Sequence, residues 1–219
     1  PESKNLSSAV GWETRTDTVF KWVTDTIVTV THKAIELQTP LKQWVNSGSN
    51  AFFKDGKSRL TIPIDLPKNT IEWYYIVSAD RNEASMSKTL STFSLLTDIT
   101  TAIDATGVAG FAVSMLTAPP GANYCDVVLL NAANQTPFLN HEEYNYIQEG
   151  TRFNVVSGLV KIKGCTQGRY YLGFRNPDST YGEFVSIEVV AVTKEVTRKT
   201  QRRKKPISIT TKKFPVMSN

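Results

Sequence analysis

Short runs of β-branched and aromatic residues, in which apolar side chains recur at every second position, make up most of the chain. Residues 27–32, 59–64 and 183–192 alternate in this way, which is the period of a β-strand with one buried face. Turn residues separate such runs every 8–12 residues or so, at about the spacing found in sandwiches. About nine short strands of this kind predict an all-β fold, an antiparallel β-sandwich or jelly roll.

One segment departs from the strand pattern. Apolar residues between 85 and 104 are spaced three or four positions apart, as on one face of an α-helix. Residues 107–116, which follow, are small and apolar. We therefore predict a helical insertion around 85–116. We expect it to face the core rather than a membrane, because Asp98 and Asp104 interrupt it.

The charge is distributed unevenly along the sequence. The chain has 25 basic and 20 acidic residues and a net charge of +5, but residues 194–219 contain nine of the bases and one acid. The first 193 residues therefore carry a net charge of −3. This division predicts a loose N-terminal segment over 1–18, a β-sandwich domain over 19–193 and a basic C-terminal tail over 194–219.

The basic tail has three interpretations. It is a solvated extension, or it contacts an anionic surface such as a membrane, a nucleic acid or another subunit. In the third interpretation, residues 206–210 add as a strand to a neighbouring sheet. The candidate binding residues of the tail are Arg202, Arg203, Lys204 and Lys205.

The sequence contains no recognisable catalytic set. His32 and His141 are the two histidines, and no Gly-x-Ser-x-Gly motif supplies a nucleophile for them. The adjacent residues 141–143 (His-Glu-Glu) point in different directions on a loop and are typical of a solvated acidic turn rather than a metal site. Paired carboxylates for glycoside hydrolysis stay open as an alternative. We predict no enzymatic activity, no metal and no cofactor.

Aromatic residues indicate a binding function more clearly than any candidate catalytic or metal-binding residue indicates chemistry. Trp73 and Tyr170 lie within apolar strands and are expected in the core. Tyr144 and Tyr146, in the polar segment 141–149, are the candidate exposed pair. Exposed aromatic rings anchor protein partners and stack on sugars.

The two cysteines leave the redox state open. Cys125 and Cys165 both lie in strand-like stretches, so a single disulfide forms if the two strands are neighbours. Two free thiols fit the sequence equally well. Frequent Thr, Ser and Asn on the alternating stretches indicate an extracytoplasmic protein.

The end of the predicted domain resembles a known family. Residues 168–179 (GRYYLGFRNPDS), followed by the alternating strand 184–192, resemble the end of GOLD-type (Golgi dynamics) β-sandwich domains. Residues 60–79 are similar to the Trp-bearing inner strand of that family. Sandwich domains of uncharacterised exported bacterial proteins look similar as well. The resemblance covers 44–192 and implies a binding or assembly module without chemistry.

The resemblance has limits. The 84–118 segment is an insertion relative to a minimal GOLD domain, and the chain has neither the coiled coil nor the transmembrane helix of p24-type cargo receptors, so a trafficking role is not implied. The sequence as a whole predicts a non-enzymatic extracytoplasmic β-sandwich that binds or assembles with a protein partner or with further copies of itself. The alternatives are a carbohydrate-binding or glycan-active jelly roll, and an anionic-surface binder that acts through its tail.

Overall fold

A computed structural model describes residues 10–53, 56–106 and 119–217. Within these ranges the chain forms eight strands and four helices. The strands are β1 (Val10–Val45), β2 (Arg59–Leu66), β3 (Thr70–Asp80), β4 (Cys125–Leu130), β5 (Ile147–Val155), β6 (Ser157–Ile162), β7 (Gly168–Arg175) and β8 (Glu183–Met217). The helices are α1 (Gly48–Phe53), α2 (Glu83–Leu90), α3 (Leu95–Thr106) and α4 (Ala132–Leu139).

The strands form two four-stranded antiparallel sheets. Sheet A has the order β1-β8-β3-β6 and sheet B the order β2-β7-β4-β5. Every connection between successive strands except that from β4 to β5 passes from one sheet to the other. This order is that of an eight-stranded jelly roll. The predicted all-β sandwich is confirmed, although two of its strands are far longer than the short runs seen in the sequence.

The core lies between the two sheets, and β3 shows how it is built. Trp73, Tyr75 and Val77 point inward to the main cluster of buried side chains. Tyr74 and Ile76 point to the opposite face of sheet A, where they contact side chains of α3. A strand buried on both faces has a nearly continuous run of apolar residues, and residues 71–77 have this pattern apart from Glu72.

The helical insertion consists of two helices rather than one. Asn82 is the N-cap of α2 and accepts a hydrogen bond from the backbone N–H of Ser85 at 2.9 Å. The apolar stripe of α3 covers the outer face of sheet A through Leu95, Ile99 and Ile103. The remainder of the predicted insertion, 107–116, lies outside the described residues. None of the helices in the described ranges is long and apolar enough to cross a membrane.

Helix α4 covers the outer face of sheet B. Its Phe138 packs with Val128 and Leu130 of β4. Gly173 of β7 makes this approach feasible, because a Cβ there would lie 2.8 Å from the Phe138 ring. The helix is short and contains Pro137, so its periodicity is too weak to be recognised from the sequence.

The chain divides into two compact units that differ from the predicted domains. One consists of residues 30–195, here called the sandwich unit, and the other of residues 1–29 and 196–219. The predicted loose segment is strand from Val10 onward, and the predicted tail is strand as far as Met217. The physical reason is that β1 and β8 are neighbours in the sheet order, so each provides the backbone hydrogen-bond partners of the other.

Candidate functional site

The compact unit formed by the two ends of the chain contains a two-stranded β-ribbon. We define the ribbon as residues 10–29 of β1 and 196–217 of β8. The pairing of β3 with β8 extends only to Thr193. Among the described strands, therefore, the two strands of the ribbon have each other as partners. A two-stranded ribbon by itself is marginally stable in water, because neither face is covered by a second layer.

Large apolar side chains of the ribbon are exposed to solvent. Trp12 is 65% and Trp22 is 54% exposed. Large apolar side chains exposed in this number indicate an interaction surface. The ribbon residues with exposed large apolar side chains are Trp12, Val19, Phe20, Trp22, Ile27, Val28, Val196, Ile207, Ile209, Phe214 and Val216.

The ribbon is also strongly cationic. Its described residues include ten bases and three acids, a net charge of +7, whereas the sandwich unit contains 14 bases and 16 acids, a net charge of −2. All eight bases of the β8 half lie between 196 and 213, where no acid occurs. The positive charge of the protein is therefore concentrated on an ordered strand and not on a loose tail.

The four predicted basic residues of the tail lie on β8 and divide between its two faces. The guanidinium carbon of Arg202 lies 5.6 Å from the centroid of the Trp22 ring, and Lys204 Nζ lies 5.4 Å from it. Arg203 forms an ion pair with Asp25. Lys205 shares the face of Arg203, because side chains alternate along a strand. Arg202 and Lys204 thus place two cations next to one exposed aromatic ring.

The predicted aromatic pair belongs to the sandwich unit and is only partly exposed. Tyr146 is 43% exposed and packs edge-on against Phe153, with the ring centroids 5.4 Å apart. Tyr144 is half-buried, because its ring packs edge-on against Phe138 at 5.2 Å. Tyr144 therefore acts mainly as a packing residue, and Tyr146 presents the accessible ring.

Both cysteines are free thiols, Cys125 buried and Cys165 half-buried, which is the second of the two alternatives that the sequence left open. Asp126, next to Cys125, is opposite Arg175 at one end of β7. Cys165 precedes Gly168, which begins β7 at the other end. A disulfide needs Cα atoms within about 7 Å, and the eight residues of β7 span more than that. Burial raises the pKa of both thiols.

The segment 141–143 does not form a metal site with other residues. Within the described ranges, no group of three or more His, Cys, Asp or Glu side chains is arranged to hold a metal ion. His141 instead lies beside Ser58, with its Nε2 atom 3.4 Å from the Ser58 Oγ atom. The two residues are 83 positions apart, so the sequence has no local pattern that pairs them.

Ser58 and His141 line a cavity of the sandwich unit. This cavity has a volume of about 720 Å³. A second cavity of about 330 Å³ shares four lining residues with it, Gly48, Ser58, Arg59 and His141. We call the two together the Arg59 cavity. It lies where β2 begins, at the edge of sheet B.

Comparison of the chain with protein-family models and with curated proteins gives no match.

Proposed function

We propose that this protein is a non-enzymatic assembly subunit, a β-sandwich that associates with further copies of itself through its β-ribbon. The observation that carries the proposal is the exposure of large apolar side chains on both strands of the ribbon. Burying such surface against a partner is favourable by roughly 25 cal/mol per Å². A ribbon that is marginal in water therefore gains its stability from what covers it.

A second ribbon is the partner that suits this surface best. It has the same length and the same strand twist, so it can cover a face of the ribbon along its full extent. The two strands also differ in charge. The β1 half has three acids and two bases, whereas the β8 half has eight bases and no acid. Packing β1 of one copy against β8 of the other therefore keeps the two strongly basic β8 halves apart and limits their repulsion.

The jelly-roll strand order gives further support, by analogy alone. Jelly rolls occur in the coat proteins of viral shells, which associate with copies of themselves, and also in lectins. A fold by itself does not specify function. The analogy favours assembly together with the ribbon surface, and it keeps the carbohydrate-binding alternative as a prediction that a glycan array tests.

Sedimentation equilibrium of the full chain tests the proposal. We expect the average mass to exceed the 24.4 kDa of one chain, and to rise with protein concentration between about 1 and 100 µM. Replacing two exposed aromatic residues of the ribbon by a polar strand former (Phe20→Thr with Trp22→Thr) should return the mass to that of one chain. Tyr124→Thr is the matched control, because Tyr124 is 60% exposed but lies in the sandwich unit.

The dependence on salt concentration distinguishes self-association from binding to a polyanion. Association through apolar surface between two cationic ribbons should persist or strengthen as salt rises, because salt screens their mutual repulsion. A wild-type chain that stays at the mass of one chain throughout the concentration range would exclude the proposal. Loss of association in the Tyr124→Thr variant to the same extent as in the ribbon variant would also contradict it.

The cationic site around Trp22 favours a second candidate function, the binding of nucleic acid. A two-stranded ribbon is narrow enough to enter the major groove of DNA, and aromatic rings next to cations stack on unpaired bases. Fluorescence anisotropy with labelled single-stranded and duplex oligonucleotides tests this. Affinity should fall steeply with salt, with a slope of about 0.9 per phosphate contact on duplex DNA. The replacement of Arg202, Arg203, Lys204 and Lys205 by Ala should remove it, and binding that survives the replacement would exclude this function.

A further inference from the structure

The Arg59 cavity contains a cation without a carboxylate partner. Arg59 and Arg175 are directly opposite each other on β2 and β7. Arg175 is compensated by the buried Asp126 carboxylate, with its Nε atom 2.7 Å from Oδ2. Arg59, in contrast, forms no ion pair with any carboxylate of the described residues. Two like charges opposite each other on a sheet repel, so the site as a whole favours an added anion.

The Arg59 side chain is held in place by its neighbours, but some of its N–H donors have no acceptor among the described residues. Its Nη1 atom donates to the carbonyl oxygen of Phe138 at 2.7 Å. Its guanidinium lies 5.1 Å from the centroid of the Phe138 ring and 5.7 Å from that of Tyr144. Its Nε–H is closed off from solvent and meets no acceptor in the described part of the chain. A guanidinium has five N–H donors. The contacts above therefore fix the position of the Arg59 guanidinium without giving every donor an acceptor.

His141 supplies a second polar group to the same cavity. Its backbone N–H donates to the Phe138 carbonyl at 3.3 Å, the same oxygen that Arg59 uses. Its φ of 61° lies in the left-handed region, as is common for the residue that follows the end of a helix, and this turn holds His141 beside the cavity. Burial, followed by the nearby Arg59 charge, lowers the pKa of His141. At neutral pH its imidazole is therefore uncharged and ready to share a hydrogen bond with Ser58.

The rest of the lining indicates what kind of anion fits. Ala51, Phe52 and Leu139 give the larger cavity an apolar wall, and Lys57 and Asn140 add polar groups. A volume of about 720 Å³ is in the range of small-molecule sites. A planar guanidinium matches the two oxygens of a carboxylate.

From this arrangement we infer that the Arg59 cavity binds a small organic carboxylate, with the carboxylate at Arg59, Ser58 and His141 and the apolar body against Phe52 and Leu139. This site is independent of self-association through the ribbon. A bound carboxylate accepts hydrogen bonds from guanidinium N–H groups other than the enclosed Nε–H, and it favours the protonated form of the imidazole beside it.

The chain contains two histidines, which makes NMR of their imidazole protons a direct test. Benzoate is the probe and benzamide, its neutral counterpart, the control, and His141→Gln assigns the two signals. We expect benzoate to shift the His141 signal saturably and to raise the pKa of His141, whereas the His32 signal stays unchanged. Benzamide should have no effect. The absence of a benzoate shift, or equal shifts of both histidines, would overturn the inference.

Substitutions at the cavity test where the carboxylate group of benzoate binds. Arg59→Gln should weaken benzoate binding by at least about tenfold, and Arg59→Lys should weaken it less, because it keeps the charge but loses the planar fork. Lys68→Gln is the matched control, because Lys68 is exposed and does not line the cavity, and it should retain binding to within about threefold. If Arg59→Gln fails to fold, the comparison of Arg59→Lys with Lys68→Gln decides. Equal affinity in those two variants, or tighter binding of inorganic phosphate than of benzoate, would refute the assignment.

Discussion

The Glu188 carboxylate of β8 accepts the backbone N–H of Leu95, the first residue of α3, at 3.0 Å. Its other oxygen accepts the N–H of Leu96 at 3.0 Å. A negative charge is favourable at this end of a helix, and the first N–H groups of a helix have no partner within it. A single buried side chain of sheet A therefore caps the start of α3.

Replacing this carboxylate should loosen α3. Glu188→Gln retains one acceptor oxygen but loses the charge, and it should lower the free energy of unfolding by about 1–3 kcal/mol. Urea unfolding measures this. Glu195→Gln, further along β8, is the control, because its exposed ion pair with Lys33 contributes at most about 1 kcal/mol. Equal losses in the two variants would show that the Leu95 and Leu96 contacts do not stabilise the helix.

A second buried carboxyl should make stability depend on pH. Burial raises the pKa of Glu183 from 4.5 to about 8, so the folded protein keeps a proton that the unfolded chain releases near pH 4.5. Over that interval the folded state binds more protons, and the free energy of unfolding should therefore fall as pH rises, by up to about 1.4 kcal/mol per pH unit.

The Glu183→Gln variant tests the origin of this slope. Its free energy of unfolding, measured with urea between pH 5 and pH 8 or so, should decline less than that of the wild type, and at the upper end it should be the more stable protein. Glu195→Gln should keep the wild-type slope. A Glu183→Gln variant with the same decline as the wild type would assign the pH dependence to other groups.

The sandwich unit should fold without the ribbon. Every buried apolar side chain among the described residues lies between 45 and 192, so a chain limited to residues 30–195 loses no core residue. We expect it to unfold in one cooperative transition, with a smaller denaturant dependence than the full chain because less surface becomes exposed. Circular dichroism during urea unfolding measures both quantities. A gradual, non-cooperative transition would show that the ribbon is needed for the fold.

The two thiols should differ in accessibility. Cys125 is buried in the core and Cys165 is half-buried in the connection between β6 and β7, so a thiol reagent should modify Cys165 first and Cys125 only on unfolding. Intact mass should be the same with and without reductant. A gain of two hydrogen atoms on reduction would demonstrate the disulfide, and would require the two ends of β7 to be rearranged.

The sequence predicts some parts of the fold well, for physical reasons. Alternating β-branched residues are buried on one face only in a sheet, so β2 and the first part of β8 were recognisable. The doubly apolar run of β3 indicated cover on both faces. Helix α4 and the Ser58–His141 contact were not recognisable, because they depend on packing between distant segments. The resemblance to GOLD-type domains and the extracytoplasmic location stay predictions.

The charge distribution also shows what the sequence determines and what depends on the tertiary structure. The sequence alone determined that nine basic residues lie between 194 and 219, and that the rest of the chain is mildly acidic. It did not determine that these residues form a strand, because strand formation needs a partner and the partner, β1, lies nearly the whole chain away. Only the tertiary structure decided that pairing. It turned a predicted tail into a ribbon in which Arg202 and Lys204 lie next to the Trp22 ring.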